Sequence, residues 1–272
     1  MTDATLVPTA APAAPSAGRT AGDWRVLGVS VRGTGHARGG LPCQDAHDWR
    51  RLPRGAVALA AADGAGSAPL AEAGARAAAH AAVDALARAA AAVDASGDGW
   101  TAALDAALAA ALEAVHAEAA RRGADIRDLA TTLIACVAWD GGVAAAQVGD
   151  GAVIVATEDG GMRSVTVPTS GEFANETVFL TSPGAVAAAQ RAAWRGEARH
   201  VGVFTDGLQG LALKFPEKVP HAPFFAPLFA FAAEGGDPRE AERQLGAFLS
   251  GPRVTARSDD DLTLLLAARG HG

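Results

Sequence analysis

Four short acidic motifs are the part of this 272-residue chain whose residue types and spacing are suited to chemistry. They are Gln44-Asp45, Asp63-Gly64, Asp206-Gly207 and Asp260-Asp261. The apolar runs beside these motifs are typical of β-strands, and a glycine after a carboxylate allows the backbone to turn sharply. Carboxylates that converge at strand ends form a hard, anionic site for Mg²⁺ or Mn²⁺. The set therefore predicts a metal site that holds two ions.

Taken one at a time, the same motifs have a simpler interpretation. Asp-Gly is a common turn dipeptide, and a single copy indicates a surface loop more often than a metal ligand. A metal site is favoured over four unrelated turns only by the combined order and context of the motifs, through the family resemblance described below.

Hydrophobic patterning predicts the elements that would position these motifs. The predicted strands are Val26–Val31, Val57–Ala62, Leu133–Trp139, Val143–Val148, Ala152–Thr157, Val201–Thr205 and Leu262–Leu266. The predicted helices are Leu70–Ala92, roughly Trp100–Arg122, Phe224–Phe231, and one that begins after an Asp237 N-cap, with Glu240 at the capping-box position, and runs toward Leu249. This alternation in blocks indicates an α+β layer protein, with a glycine-rich loop at Gly33–Gly40.

Composition restricts the class of protein. Half of the residues are hydrophobic, which is ample for a core, and the net charge of −7 argues against a nucleic-acid partner. The sequence shows no run of about eighteen apolar residues, so we expect no membrane span. Residues 1–22 predict a disordered Ala/Pro-rich tail rather than a signal peptide. Cys43 and Cys136 lack zinc-site spacing and are interpreted as reduced packing residues of a cytoplasmic protein.

The order of the motifs resembles one family. The residues that carry the resemblance are Gly35-His36 through Pro42-Cys43-Gln44-Asp45, Ala62-Asp63-Gly64-Ala65-Gly66-Ser67, Thr131-Thr132-Leu133, Val148-Gly149-Asp150-Gly151, Gly171–Thr177, Phe204-Thr205-Asp206-Gly207-Leu208 and Asp260-Asp261-Leu262-Thr263. The set resembles metal-dependent serine/threonine phosphatases of the protein phosphatase 2C type, and their bacterial branch in particular. The resemblance implies a single domain at residues 23–270 with a four-layer α/β/β/α sandwich. Two antiparallel sheets would be flanked by helix pairs, with the metal site at one edge.

The resemblance also implies ligand roles. Asp63 would bridge two Mg²⁺ or Mn²⁺ ions, and the carbonyl of Gly64 would complete one shell. Asp206 and Asp260 would hold the other ion, while Asp45 would orient metal-bound waters. Attack on the phosphate ester would then be direct and in line, without a phosphoenzyme.

The chain departs from the family pattern at several of these positions. Gln44 stands where a glutamate is common, and Ala65 stands where some members carry a histidine proposed as general acid. Asp150 matches an aspartate associated with a third metal, but Gly210 replaces its partner, so we expect a weak or absent third site. Asp261 stands where asparagine is usual. The carboxylates expected to hold two ions are nevertheless all present.

The phosphate clamp is a further departure. The position of the family's clamping arginine is Gly40 here, which leaves Arg38 and His36 as the nearest candidates. Arg38 suits a clamp because a guanidinium offers a fixed fork of donors to phosphate. His36 suits a proton donor in place of the histidine absent at Ala65. In the alternative interpretation His36 caps the loop and Arg38 is merely solvated.

The functional expectation is therefore a phosphatase acting as a monomer on phosphoserine or phosphothreonine of a protein substrate, such as a cognate kinase or its target. Two alternatives stay open. One is a weakly active or inactive regulatory module that binds phosphoproteins, and the other is a hydrolase of small phosphate esters.

Overall fold

The computed structural model describes residues 23–169 and 177–270. Its strands form two five-stranded sheets and a short hairpin. In chain order they are β1 (Trp24–Val31), β2 (Ala46–Arg51), β3 (Val57–Ala62), β4 (Leu133–Trp139), β5 (Gly142–Val148), β6 (Ala152–Ala156), β7 (Met162–Thr166), β8 (Gln190–Arg195), β9 (His200–Phe204), β10 (Leu213–Lys214), β11 (Val219–Pro220) and β12 (Leu262–Arg269). The first sheet has the order β1-β12-β9-β6-β7 and the second β2-β3-β4-β5-β8. Neighbours in both sheets pair antiparallel.

The described residues also form eight α-helices. They are α1 (Thr34–Gly39), α2 (Ala71–Ala89), α3 (Trp100–Arg122), α4 (Ala185–Ala188), α5 (Gln209–Ala212), α6 (Ala222–Ala233), α7 (Pro238–Leu249) and α8 (Pro252–Thr255). None of these helices combines the length and the apolar composition needed to cross a bilayer. The Asp237 carboxylate accepts from the Arg239 backbone N–H and caps α7 as predicted, whereas Glu240 accepts from Gln244.

Three apolar clusters separate four layers. The helices α2 and α3 bury their alanine-rich faces on the second sheet, and small side chains such as Ala78 and Ala82 allow close packing. The helices α6 and α7 cover the first sheet, where the Phe225 and Phe229 rings stack with centroids 5.4 Å apart. Between the sheets lies a third cluster that includes Leu59. The predicted four-layer α/β/β/α sandwich is thus confirmed.

The differences from the predicted elements occur where the sequence is polar or glycine-rich. The strands β2, β7 and β8 were not predicted because β2 and β8 are edge strands with half-exposed side chains, and β7 lies at the edge of the first sheet. The predicted loop Gly33–Gly40 contains the short helix α1, despite the low helix propensity of glycine. The predicted helix Leu70–Ala92 ends at Ala89.

Cys43 and Cys136 are free and buried.

Two sequence features lie outside the described residues. These are the predicted tail at residues 1–22 and all of the Gly171–Thr177 motif except Thr177.

Candidate metal centre

Strand register in the second sheet places the first two acidic motifs side by side. Asp45 immediately precedes β2 and Asp63 immediately follows β3. The two strands pair antiparallel with Ala46 opposite Ala62, so Asp45 and Asp63 lie at the same end of the sheet. The Gly64 N–H donates to the Gln44 carbonyl at 3.2 Å, which continues the pairing past the carboxylates.

The first sheet delivers the remaining aspartates in the same way. Asp206 follows β9, whose last residue Phe204 lies opposite both Ala152 of β6 and Leu264 of β12. Asp150 lies two residues before β6 and Asp260 two residues before β12, so both lie at the end of the sheet where β9 ends. The Asp260 carboxylate lies outside the close group of oxygens described next.

The Asp63, Asp150 and Asp206 carboxylates form the tightest group. Each offers one oxygen, and these three atoms lie within 4.8 Å of one another. Burial raises the pKa of Asp63 well above its ordinary value, and the nearby charges of Asp45, Asp206 and Asp260 raise it further. Burial, with the charges of Asp150 and Asp260, raises the pKa of Asp206 to about 7. The protein alone therefore disfavours the ionised form of these carboxylates, and a bound cation would favour it.

The donor atoms fit a hard divalent cation. The Oδ1 atoms of Asp45, Asp150 and Asp206 are buried and have no hydrogen-bond partner among the described residues. A buried carboxylate oxygen without a partner is unfavourable unless a ligand satisfies it. Carboxylate oxygens are the ligands that Mg²⁺ and Mn²⁺ prefer. The group of aspartates could therefore hold a metal ion.

Backbone contacts fix the Asp63 turn. The Asp63 carbonyl accepts from the Thr132 N–H at 2.7 Å and from the Thr131 hydroxyl at 2.9 Å. A Cβ added to Gly64 would lie 2.7 Å from the Ala71 Cβ, so only glycine lets α2 begin this close to the turn. The same holds at Gly207, where an added Cβ would lie 2.1 Å from the Asp261 carbonyl oxygen.

Asp45 is held from the opposite sheet. Its Oδ2 accepts a 2.7 Å hydrogen bond from Thr205 Oγ1, and that hydroxyl accepts from the Thr263 N–H at 3.1 Å. Burial and the charge of Asp261 raise the pKa of Asp45 to about 8. Sequence analysis assigned Thr205 no role, although a polar residue that ends an apolar strand directly before Asp206 was the available signal.

Asp261 connects three segments and is another residue whose position sequence analysis missed. Its Oδ1 accepts from the Gly33 N–H at 2.6 Å, and its Oδ2 accepts from the Gln44 N–H at 2.6 Å. Oδ2 also lies 2.8 Å from His36 Nδ1. The side chain is only 1% exposed. The sequence analysis placed Asp261 in an acidic motif and noted its departure from asparagine but gave it no role, and these long-range partners supply one.

The two candidates for substrate contacts differ in their surroundings. His36 is anchored through Nδ1 to Asp261, and its Nε2 lies 3.8 Å from the position of a Cβ added to Gly66. Arg38 forms an ion pair with Asp259 at 3.0 Å, and both side chains are about 70% exposed (69% and 71%). His36 thus lies against the turn that follows Asp63, whereas Arg38 lies at the surface.

The predicted third site has the composition that the sequence analysis described. Asp150 Oδ2 accepts from Thr177 Oγ1 at 2.8 Å, and its backbone carbonyl accepts from Gln209 Nε2 at 2.7 Å. A Cβ added to Gly210 would meet no atom within 4 Å. Gln44, another departure from the family pattern, is 4% exposed, and its Oε1 has no hydrogen-bond partner among the described residues.

The chain is similar in sequence and in fold to known phosphatases. A family model described as protein phosphatase 2C matches residues 32–250. The chain is 35% identical over 255 residues to serine/threonine-protein phosphatase 3 of Escherichia coli (strain K12), and the match covers 90% of this chain and 98% of the relative.

Solved structures agree on the fold. A mutant bacterial serine phosphatase superposes with a TM-score of 0.62 at 15% identity, covering 91% of this chain and 98% of the other. A serine/threonine phosphatase of S. agalactiae gives a TM-score of 0.60 at 14% identity, covering 90% and 99%. With the family model matching most of the chain and the E. coli relative 35% identical over 90% of it, this chain belongs to the protein phosphatase 2C family.

Proposed function

We propose that this chain is a metal-dependent phosphatase that hydrolyses phosphoserine and phosphothreonine on proteins. The observation that carries the proposal is the group of Asp63, Asp150 and Asp206 oxygens within 4.8 Å at the edge of a protein phosphatase 2C fold. The name of the E. coli relative supports the same substrate class at 35% identity.

The proposed cofactor is a pair of Mg²⁺ or Mn²⁺ ions. Asp63 and the Gly64 carbonyl would hold one ion, Asp63, Asp206 and Asp260 the other, and Asp45 would orient the waters of the site. Divalent ions in such a site supply a nucleophilic water at neutral pH and neutralise charge on the phosphoryl oxygens. Asp150 would bind a third ion weakly, because Gly210 provides no second carboxylate.

The chain's own residues would position these groups. The Thr205 hydroxyl fixes one oxygen of Asp45 and leaves the other for the site. The Asp261 carboxylate holds the Gln44 backbone and the His36 ring on the same side of the centre. A protonated His36 would keep Nδ1–H on Asp261 and present Nε2–H as the proton donor to the leaving alkoxide. Arg38 would have to leave Asp259 before it could clamp the substrate phosphate.

The setting of the enzyme is also part of the proposal. Two buried, free cysteines suit a reducing cytoplasm, and the expected substrate is a phosphoprotein made by a serine/threonine kinase, with the chain acting as a monomer.

The alternative of a weakly active regulatory module rests on Gln44, Ala65 and Gly210, which together remove polar groups common in the family. Hydrolysis of p-nitrophenyl phosphate with Mn²⁺, with Mg²⁺ and with chelator distinguishes the two. Turnover that appears with metal and disappears with chelator supports the enzyme, whereas phosphopeptide binding without turnover supports the module. A preference for nucleotides over phosphopeptides would instead support a small-ester hydrolase.

A further inference from the structure

A cavity of about 170 Å³ lies beside the metal centre, between the segment that leads into β2 and the start of α2. Its apolar lining consists of Leu41, Pro42, Ala68, Pro69, Leu70 and Ala73, and we call it the Leu41 pocket. Leu41 is 40% exposed at this pocket, an unusual position for a large aliphatic side chain in a chain whose apolar residues are mostly buried.

The Leu41 pocket adjoins the candidate metal centre. Gln44, which also lines it, precedes Asp45 and bonds through its backbone to Asp261. Gly66 and Ser67 line it as well and follow directly from the Asp63-Gly64 turn. Because His36 Nε2 approaches Gly66, the pocket and the proposed proton donor lie on adjacent faces of one turn.

The charged groups of the pocket already form ion pairs, although Glu118 is shared by two arginines, Arg121 and Arg122. Arg76 bonds to Glu72 at 2.6 Å, one helical turn away, and both line the pocket. Arg122 also lines it and bonds to Glu118 at 2.6 Å. A charged ligand would have to replace these partners, whereas an apolar side chain gains burial against the aliphatic walls.

The size of the pocket matches one side chain. A cavity of roughly 150 Å³ lined by aliphatic and aromatic groups is large enough for benzene. The Leu41 pocket is slightly larger and therefore has room for a leucine, methionine or phenylalanine side chain.

We infer that the Leu41 pocket binds an apolar side chain of the phosphoprotein substrate, from a residue close in sequence to the phosphorylated serine or threonine. This inference rests on the proposed phosphatase activity. It assigns part of the substrate selectivity to Leu41 and the Pro69-Leu70 segment, which are not among the residues proposed above to hold metal ions. The bound side chain would orient the phosphopeptide relative to the carboxylates.

The test uses the full chain with Mn²⁺ and a series of phosphothreonine peptides. One leucine is moved through the three positions on each side of the phosphothreonine in an otherwise Ala/Gly/Ser background, and kcat/KM is compared with that of the all-small peptide. We expect one position to raise kcat/KM by roughly tenfold, the discrimination that a hydrophobic pocket gives for a few methylene groups. Aspartate or arginine at that position should give no gain.

Leu41→Asp places a charge in the lining and should abolish this leucine-over-alanine ratio. Phe248→Asp is the matched control, because Phe248 is also an exposed apolar residue (43%) but lies on α7 against the other sheet, and it should keep the ratio. The ratio is measured within each variant, so a general loss of activity cancels.

Three results would overturn the inference. They are equal kcat/KM for all peptides, a preferred acidic residue, and a leucine preference that survives Leu41→Asp. With p-nitrophenyl phosphate still hydrolysed, each of these leaves the proposed function intact. Absence of turnover on every substrate would instead overturn the proposed function, and this inference with it.

Discussion

The Thr205 hydroxyl donates to Asp45 Oδ2 at 2.7 Å, and this hydrogen bond joins the two sheets at the candidate metal centre. Thr205 follows β9 of the first sheet, whereas Asp45 precedes β2 of the second. Since both groups are buried, the bond fixes the Asp45 carboxylate relative to carboxylates that come from the other sheet.

Thr205→Val should therefore weaken the centre without removing a ligand. The change removes the hydrogen-bond partner of Asp45 Oδ2 and of the Thr263 N–H. A buried unsatisfied polar group costs about 1–3 kcal/mol of unfolding free energy. We expect a lower thermal midpoint and a higher Mn²⁺ concentration for half-maximal activity. Thr205→Ser keeps the hydroxyl and is the control. If Thr205→Val matched the wild type in both measurements, Thr205 would have no positioning role.

Asp63→Asn should be the most damaging single substitution, because the proposed role gives this carboxylate to both ions. Changes in the partners of metal ligands typically reduce affinity or activity 10–100-fold, so loss of this ligand should exceed about 100-fold in kcat/KM. Asp206→Asn and Asp260→Asn should follow closely. Asp140→Asn, at an exposed ion pair with Arg269, is the control. Near-wild-type activity in Asp63→Asn would contradict the two-ion assignment.

The metal-free protein should lose stability as the pH rises from about 6.5 to about 8. Burial raises the folded-state pKa of Asp206 to about 7 and of Asp45 to about 8, from an ordinary value of 3.8. The folded state then binds more protons than the unfolded state, and the stability from that binding is lost as pH passes the folded pKa values. Burial lowers the pKa of His47 to about 4 from 6.5, which has the opposite effect only below that window.

Thermal midpoints measured in chelator at several pH values across this window test the linkage. Excess Mn²⁺ should flatten the slope, because a bound cation favours the ionised carboxylates. Asp206→Asn should reduce the slope in chelator. Midpoints that rise with pH in chelator would show that these carboxylates are ionised in the metal-free fold.

The proposed third metal site should bind its ion weakly, and an added carboxylate should strengthen that binding. Asp150→Ala should reduce activity less than Asp63→Asn and mainly at low metal concentration. Gly210→Asp should add a carboxylate without a steric clash, since an added Cβ meets nothing within 4 Å. Anomalous scattering from Mn²⁺-soaked crystals should show two strong peaks in the wild type and a stronger third peak in Gly210→Asp. Three equally strong peaks in the wild type would contradict the prediction.

Substitutions of His36 and of Arg38 should change different kinetic constants. If His36 is the proton donor, His36→Ala should lower kcat for alkyl phosphates and spare p-nitrophenyl phosphate, whose leaving group needs little protonation. If Arg38 clamps phosphate, Arg38→Ala should raise KM more than it lowers kcat, as loss of uniform binding does. Asp259→Asn controls for loss of the surface ion pair alone. Unchanged kinetics in both alanine variants would assign this segment a structural role.

The sequence predicted best where one physical signal dominated. The run Val57–Ala62 is buried along its whole length, and helix α3 has the predicted bounds because nothing in Trp100–Arg122 interrupts it. The edge strand β8 alternates half-buried and exposed side chains with too little apolar content to stand out.

The roles of Thr205 and Asp261 could not be predicted, for a different reason. Asp45 is 160 positions from Thr205 and Gly33 is 228 positions from Asp261, so no local sequence pattern indicates these hydrogen bonds. The candidate carboxylates themselves were visible because each follows or precedes a strand, whereas the hydrogen bonds that orient them depend on how the two sheets pack.

Strand β12 lies between β1 and β9 at the interior of its sheet, yet it comes from residues 262–269. During synthesis β1 emerges early, and more than two hundred further residues must be made before its hydrogen-bonding partner β12 is available. Contacts of such long sequence separation close late and slow folding. Asp260 and Asp261 belong to the same segment, so the proposed metal centre is complete only when nearly all of this chain has left the ribosome. A nascent chain therefore has no assembled site with which to act on cellular phosphoproteins.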